Sequence, residues 1–173
     1  LPTLLLGLLL LAGGIAHAFE LNEEERAYLR EKGTVVFVHQ ERYAPFEFRR
    51  SGGNSDGMCV ELAQWIAVEG GFRAEFRPMS FKDAQEAVMS GEADVLTSFF
   101  YSDQRDIRWD FTELLYQVPA SIFTPADRYD ITGLQDLAGK TIAMQQGDYA
   151  KEFLDEKGIQ AEIVWTSNFG EAA

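Results

Sequence analysis

The sequence is poor in the residues that build disulfides and transition-metal sites. It has one cysteine, Cys59, and two histidines, His17 and His39. A single cysteine cannot form an internal disulfide, and Cys59 lies in an apolar helical pattern that is typical of a small core residue. A zinc site of the Cys/His type needs about four such ligands. The composition therefore argues against this kind of metal centre, and we expect neither a metal nor a cofactor.

Basic residues are also scarce. The chain has 15 Lys and Arg residues against 28 Asp and Glu residues, and its net charge is −13. Nucleic acids require a basic surface, because their phosphates dominate the binding energy. We therefore expect no nucleic-acid partner. The acidic residues are spread along the chain, which is typical of a secreted protein that is kept soluble by its charge.

The chain also has no hydrophobic run of transmembrane length. The apolar run at residues 4–11 is shorter than the roughly 20 residues that a membrane-spanning helix needs. Ala16-His17-Ala18 follows it and matches the small-residue cleavage pattern of a secretory signal peptide. We predict that residues 1–18 are a signal peptide and that the protein is periplasmic. The alternative is an uncleaved anchor that tethers it to the membrane.

Helical and strand patterns alternate after this segment. Residues 19–33 predict an N-terminal helix, because Asn22 and Glu25 form a capping pair and Gly33 ends the pattern. Short β-branched or alternating runs at 34–38 and 72–77 predict strands. The β-α-β order with short turns predicts an α/β fold with a parallel sheet covered by helices.

Two helices connect these strands. The pattern predicts one helix over 58–68 and another that begins at Ser80 and ends at Gly91. Their predicted core-facing residues are Leu62, Trp65 and Ile66 in the first helix, and Phe81, Ala84 and Val88 in the second.

The stretch 91–105 carries the strongest signal for a site. Its apolar run at 95–101 predicts a buried strand, and Ser102 is a good N-cap for a short helix that contains Arg105. Ligands of open α/β sheets bind at the carboxyl ends of the strands. Ser98 and Arg105 would form an anion site there, because a guanidinium can grip a carboxylate with two hydrogen bonds. The alternative is a surface ion pair of Arg105 with Asp103, Asp106 or Asp110.

A second unit starts after an extended run at 117–123 that ends at Thr124-Pro125. The pattern predicts a short helix over 134–140, a strand at 141–144, a helix to about 157 and a strand at 161–165. One β-α-β unit without a return partner does not complete a sheet. We therefore predict a first lobe at 34–123 and an incomplete second lobe at 124–173.

Four segments, in this order and spacing, resemble the bacterial extracellular solute-binding proteins of family 3, the amino-acid-type periplasmic receptors. They are residues 35–38 with Tyr43-Ala44-Pro45-Phe46-Glu47-Phe48, Gly57 with the helix start at 60–63, residues 91–94 through Arg105 to 111–112, and residues 136–140 through Gln146-Gly147. The resemblance implies a type II periplasmic-binding-protein fold, in which two α/β lobes close over a ligand.

The resemblance also implies roles for individual residues. Arg105 would hold the ligand carboxylate, and Ser98 with the backbone around Phe99 and Phe100 would add hydrogen bonds. Tyr43 would line the side-chain pocket, and the turn Gly147-Asp148-Tyr149 would offer helix N-terminal N–H groups from the second lobe.

Two residues depart from the family pattern. Phe100 stands where a small hydroxyl residue is usual, and Asp148 stands where Ser or Thr is usual. An aspartate at this point either caps its own helix or favours an amine-bearing ligand.

The expected function is capture of a small polar solute, an amino acid or a related amine or carboxylate. Its partner would be an ABC permease or a membrane-linked signalling domain such as a histidine kinase or diguanylate cyclase. The capped helix that precedes the first strand resembles sensor versions of this domain, which favours the signalling branch. The alternatives are an enzyme on the same fold, such as a cyclohexadienyl dehydratase, or the non-catalytic domain of a membrane-bound lytic transglycosylase. The sequence shows no Ser-His-Asp or Cys-His set, so we assign no catalytic residue and expect a structural His39.

Overall fold

The computed structural model describes residues 20–173, so the predicted signal peptide at 1–18 lies outside the described residues. No helix within 20–173 is long and apolar enough to cross a membrane. The elements, in chain order, are α1 (Glu23–Lys32), β1 (Thr34–Gln40), β2 (Arg42–Tyr43), β3 (Glu47–Arg49), β4 (Ser55–Asp56), α2 (Met58–Gly70), β5 (Arg73–Met79), α3 (Phe81–Ser90), β6 (Val95–Leu96), α4 (Asp103–Asp106), a 3-10 helix (Leu134–Leu137), β7 (Thr141–Gln145), α5 (Tyr149–Glu156), β8 (Glu162–Thr166) and α6 (Phe169–Ala172).

The first unit is built on a parallel sheet with strand order β5-β1-β6. α2 and α3 connect these strands, as the β-α-β pattern predicts. Val38 in the central strand packs with Ala84 and Ala87 of α3 in a buried cluster. The predicted start of α3 is confirmed, since the Ser80 side chain accepts a hydrogen bond from the Asp83 N–H. The predicted α/β parallel-sheet class is therefore confirmed.

The predicted apolar face of α2 is wrong at Trp65, whose side chain is 51 % exposed. The buried residues of this helix are Cys59, Val60, Ala63 and Ala67. Small residues four positions apart share one helix face and let the helix backbone approach the sheet closely, whereas Trp65 projects from another face. Cys59 is a core residue as predicted, and its thiol lies 3.2 Å from the Tyr116 hydroxyl.

The predicted strand at 95–101 is too long. Only Val95 and Leu96 pair with β1, and the last ladder-like bond runs from the Thr97 N–H to the Val38 carbonyl, 3.2 Å away. The chain then leaves the sheet towards the cap at Ser102, which leaves Phe100 and Tyr101 exposed rather than buried. The chain at 98–101 is therefore a loop that leads to Arg105.

Three short antiparallel strands, β2, β3 and β4, form a second small sheet that no sequence pattern predicted. Glu47 in β3 is fully buried. Its carboxylate accepts a 2.9 Å hydrogen bond from the Gln40 N–H and a second from the Thr97 hydroxyl. Burial raises the pKa of Glu47. The carboxylate thus ties β3 to the carboxyl ends of β1 and β6.

The second unit contains a parallel pair of strands, β7 and β8, as predicted. Its separate core is formed by Leu137, Met144, Leu154 and Ile159. The predicted extended run at 117–123 forms no strand, because no described neighbour supplies a hydrogen-bonding ladder for it. The predicted boundary at 123/124 stays a prediction.

His39 is fully buried at the end of β1. Its Nδ1 lies 2.8 Å from the Gln40 carbonyl oxygen and its Nε2 lies 2.6 Å from the Ser55 hydroxyl. Both ring nitrogens therefore have partners in a neutral imidazole. Burial lowers the pKa of His39. These contacts fit the structural role that the sequence suggested.

The first prediction concerns Gly57, which precedes α2 with φ of 114°. A Cβ at this position would lie 2.5 Å from the Phe46 carbonyl oxygen, which is backbone and cannot turn away. We expect Gly57→Ala to lower the free energy of unfolding by at least about 2 kcal/mol in denaturant titration. Gly52→Ala is the control, since nothing lies within 4 Å of its added Cβ. Equal stability of the two variants would contradict the packing at Gly57.

The second prediction concerns His39 and pH. The folded pKa lies below the unfolded one, so the unfolded chain binds the proton first as pH falls. Stability should be complete above the unfolded pKa of about 6.5 and decline below it, by up to about 1.4 kcal/mol per pH unit. Unfolding measured from about pH 7.5 to 5.5 checks this, because carboxylates with ordinary pKa values titrate below that range. Glu47 and Asp148, whose pKa values are raised by burial, would change stability in the opposite direction. The decline should be absent in His39→Asn, and a parallel decline in that variant would assign it to other groups.

Candidate ligand-binding site

Arg105 lies on α4 at the junction of the two units. Ser102 caps this short helix, since its hydroxyl accepts a 3.2 Å hydrogen bond from the Arg105 N–H. The Arg105 side chain is only 6 % exposed. Its guanidinium carbon lies 4.2 Å from the centroid of the Phe99 ring and 5.6 Å from that of Tyr149. The structure therefore holds a cation away from water, against two aromatic rings.

Four contacts satisfy this guanidinium. Arg105 Nε and Nη2 lie 2.9 Å and 2.7 Å from Oε1 of Glu152, a residue of α5. Nη1 donates to the Phe100 carbonyl at 3.2 Å, and Nη2 donates to the Gly147 carbonyl at 3.1 Å. Both units thus contribute to the environment of a single cation.

The alternative of a surface ion pair between Arg105 and a neighbouring aspartate is wrong. Asp103, Asp106 and Asp110 make no ion pair with Arg105 in the described chain. The partner is Glu152, which lies 47 positions further along the chain. The sequence reasoning missed Glu152. Its only sequence signal is its position one turn after Tyr149, on the helix that follows the Gly147-Asp148 turn.

The turn before α5 approaches the first unit closely. Gly147 has φ of 79°, and a Cβ here would lie 2.2 Å from Gln85 Nε2, which donates to the Gly147 carbonyl. Asp148 caps α5, since its Oδ1 accepts a 2.7 Å bond from the Ala150 N–H. The capping alternative for Asp148 is thus the observed one. Burial raises the pKa of Asp148.

Two buried polar atoms near this junction have no hydrogen-bond partner among residues 20–173: Ser98 Oγ and Gln145 Oε1. Gln145 is 2 % exposed, and its Nε2 donates to Gln40 Oε1 at 2.9 Å. This amide pair joins the carboxyl end of β1 to that of β7. A buried polar atom without a partner costs about 1–3 kcal/mol. The Ser98 hydroxyl lies near the Glu47 carboxyl and lowers its pKa, so Gln145 Oε1 is the clearer case of an unpartnered atom.

The aromatic residues predicted for the site separate into two groups. Phe99, Phe100 and Tyr149 surround Arg105, and the rings of Phe100 and Tyr149 stack at 6.4 Å. Tyr43 instead packs between Phe46 at 5.0 Å and Phe169 at 5.4 Å. Burial, followed by the charge of Asp148, raises the pKa of Tyr43. The participation of these residues in ligand binding stays a prediction.

The junction brings together charged, hydroxyl and amide groups. The Arg105 guanidinium bonds to the Glu152 carboxylate, which accepts from the Ser102 hydroxyl, and the Gln85 amide donates to the Gly147 carbonyl. No group of three or more His, Cys, Asp or Glu side chains in the part of the chain that the structure describes could hold a metal ion.

Comparison with known proteins gives a consistent result. The chain is 33 % identical over 125 residues to the arginine-binding extracellular protein ArtP of Bacillus subtilis, with 69 % of this chain and 48 % of that protein covered. It is 27 % identical over 128 residues to the L-cystine-binding protein TcyJ of Escherichia coli, with 73 % and 48 % covered. The chain thus spans about half the length of these curated relatives.

Solved structures have the same fold. An ancestral arginine-binding protein bound to glutamine matches with a TM-score of 0.72 at 27 % identity, over 81 % of this chain and 63 % of that one. A histidine kinase sensor domain with similarity to periplasmic binding proteins matches with a TM-score of 0.70 at 31 % identity, over 80 % and 61 %. The two-lobe fold class expected from the sequence is confirmed, with part of it covered by this chain.

The family model for bacterial extracellular solute-binding proteins, family 3, matches residues 35–156. This span includes the sheet of the first unit, the Arg105 loop, β7 and α5. The resemblance seen in the sequence is confirmed: the chain belongs to family 3 of the bacterial extracellular solute-binding proteins.

Proposed function

We propose that this chain is the ligand-binding part of a periplasmic receptor for an amino acid, whose α-carboxylate bonds to Arg105. The observation that carries the proposal is the Glu152 carboxylate, which bonds to Nε and Nη2 of Arg105, a side chain that is only 6 % exposed. A buried guanidinium needs an anion, and its fork matches a carboxylate with two hydrogen bonds. The ligand carboxylate would bond to the same two nitrogens of Arg105.

The other end of the ligand would meet hydrogen-bond acceptors. Gln145 Oε1 and Ser98 Oγ lack partners in the described chain, and Asp148 adds a partly buried carboxylate. Groups of this kind suit the N–H donors of an amine or of a nitrogen-bearing side chain. The curated relatives support this class, since their names specify arginine and cystine. Phe100, with its ring near Tyr149, would cover the guanidinium in place of a hydroxyl contact.

Binding would act through the contact between the two units. Arg105 on α4 and Gly147 before α5 come from opposite sides of the junction, so a ligand bonded to both would favour the closed arrangement. An ABC permease would bind that closed arrangement, or a signalling helix would respond to it. The histidine kinase sensor domain among the structural neighbours supports the signalling role, and the amino-acid-binding relatives support the transport role.

We propose binding without turnover for this chain. The relatives reported above are binding proteins, and the only described histidine, His39, uses both ring nitrogens in structural contacts. The periplasmic location follows the family, whose members are extracellular solute-binding proteins.

The third prediction tests the carboxylate contact. In calorimetric titrations with arginine, glutamine, histidine and cystine, we expect at least one ligand to bind, and Arg105→Ala to weaken it at least about 100-fold. Arg105→Lys should also bind weakly, because an ammonium lacks the planar fork. Arg128→Ala is the control, since that arginine is exposed and pairs with Asp130.

A ligand that lacks the carboxylate tests the same contact in the unmodified protein, so the result does not depend on whether a variant folds. The α-amide of the preferred amino acid lacks the carboxylate, so it should bind the unmodified protein at least about 100-fold more weakly than the free acid. Equal affinities for the acid and the amide would contradict the bond between the ligand carboxylate and Arg105. Binding unaffected by Arg105→Ala would do the same.

A further inference from the structure

We propose that Glu152 is a built-in competitor for the ligand and thereby lowers the affinity of the site for carboxylate-bearing ligands. Its carboxylate bonds to Arg105, and it must leave Arg105 before a ligand carboxylate can bind there. This inference rests on the proposed function of Arg105 and adds a residue to it.

The contacts show that Glu152 occupies the ligand position. Its Oε1 lies 2.9 Å from Nε and 2.7 Å from Nη2, which is the edge of the guanidinium that a carboxylate prefers. Its Oε2 accepts a 3.1 Å hydrogen bond from the Ser102 hydroxyl. The remaining edge of the guanidinium faces the carbonyls of Phe100 and Gly147. Neither edge is open to a second carboxylate.

Charge and burial determine which partner moves. Two carboxylates on one buried guanidinium would leave an uncompensated negative charge beside Asp148, which is itself partly buried. Arg105 is 6 % exposed and fixed by its two backbone contacts, whereas Glu152 is 28 % exposed on the surface of α5. Glu152 can therefore turn into water when the ligand carboxylate arrives.

The exchange has two consequences for binding. The ligand must break the Arg105–Glu152 pair. Its observed association constant is therefore the intrinsic one multiplied by the fraction of molecules in which Arg105 is free of Glu152. A ligand without a carboxylate leaves the Arg105–Glu152 pair in place, so the competitor does not reduce its affinity.

The test is a titration of Glu152→Gln with the amino acid that the unmodified protein prefers. Glutamine is close in size but carries no charge, so the ligand carboxylate no longer displaces an ion pair. We expect the affinity for the free acid to rise about 5-fold or more, and the affinity for its α-amide to stay unchanged. Glu152→Asp, one methylene shorter, should act in the same direction through a weakened pair. It provides a second variant if the first is unstable.

Glu156→Gln is the matched control. It removes the same charge from the same helix, but Glu156 is exposed and accepts its 3.2 Å hydrogen bond from the Tyr149 hydroxyl instead of from Arg105. We expect less than about a 2-fold change at about 0.15 M salt, because screening weakens distant exposed charges. If Glu156→Gln raised the affinity for the free acid as much as Glu152→Gln does, the effect would be general repulsion between negative charges. That result would overturn the proposal.

The possible outcomes separate the two proposals. If the protein binds an amino acid through Arg105 and Glu152→Gln leaves its affinity unchanged, the competitor is wrong and the proposed function stands. Weaker binding in Glu152→Gln would make Glu152 a ligand contact, which also overturns the competitor. If no amino acid binds the protein or its variants, both proposals fail.

Discussion

The enclosed guanidinium of Arg105 is the constraint on which the junction between the two units depends. A cation that is 6 % exposed must be paired and hydrogen-bonded, and the chain supplies partners from both sides. The loop after β6 provides the Phe100 carbonyl, and the β7–α5 turn provides the Gly147 carbonyl with Glu152 one turn later. The amide pair of Gln40 and Gln145 adds a second buried link at the ends of β1 and β7.

Local sequence signals predicted the elements that local chemistry determines. Ser80 and Ser102 start helices because their hydroxyls accept backbone N–H groups three residues on, and both caps are present. The β-α-β order of elements with short turns predicted a parallel α/β sheet. The buried face of α2 was harder to predict, because Trp65 looks apolar in sequence while small residues at other positions set the packing.

The site itself depends on contacts between distant residues, which no local pattern contains. Arg105 and Phe99 could be placed near each other from the sequence, since the helix with Arg105 follows the apolar run that contains Phe99. Glu152 and the Gln40–Gln145 pair could not, because their partners are 47 and 105 positions away. Asp148, a departure from the family pattern, caps α5 and lies partly buried beside this junction.

The most direct measurement is a crystal structure of this protein with the amino acid that it binds. The account predicts ligand carboxylate oxygens within hydrogen-bond distance of Arg105 Nε and Nη2, with the Glu152 carboxylate turned away into solvent. An intact Arg105–Glu152 pair, with the ligand bound elsewhere, would contradict it.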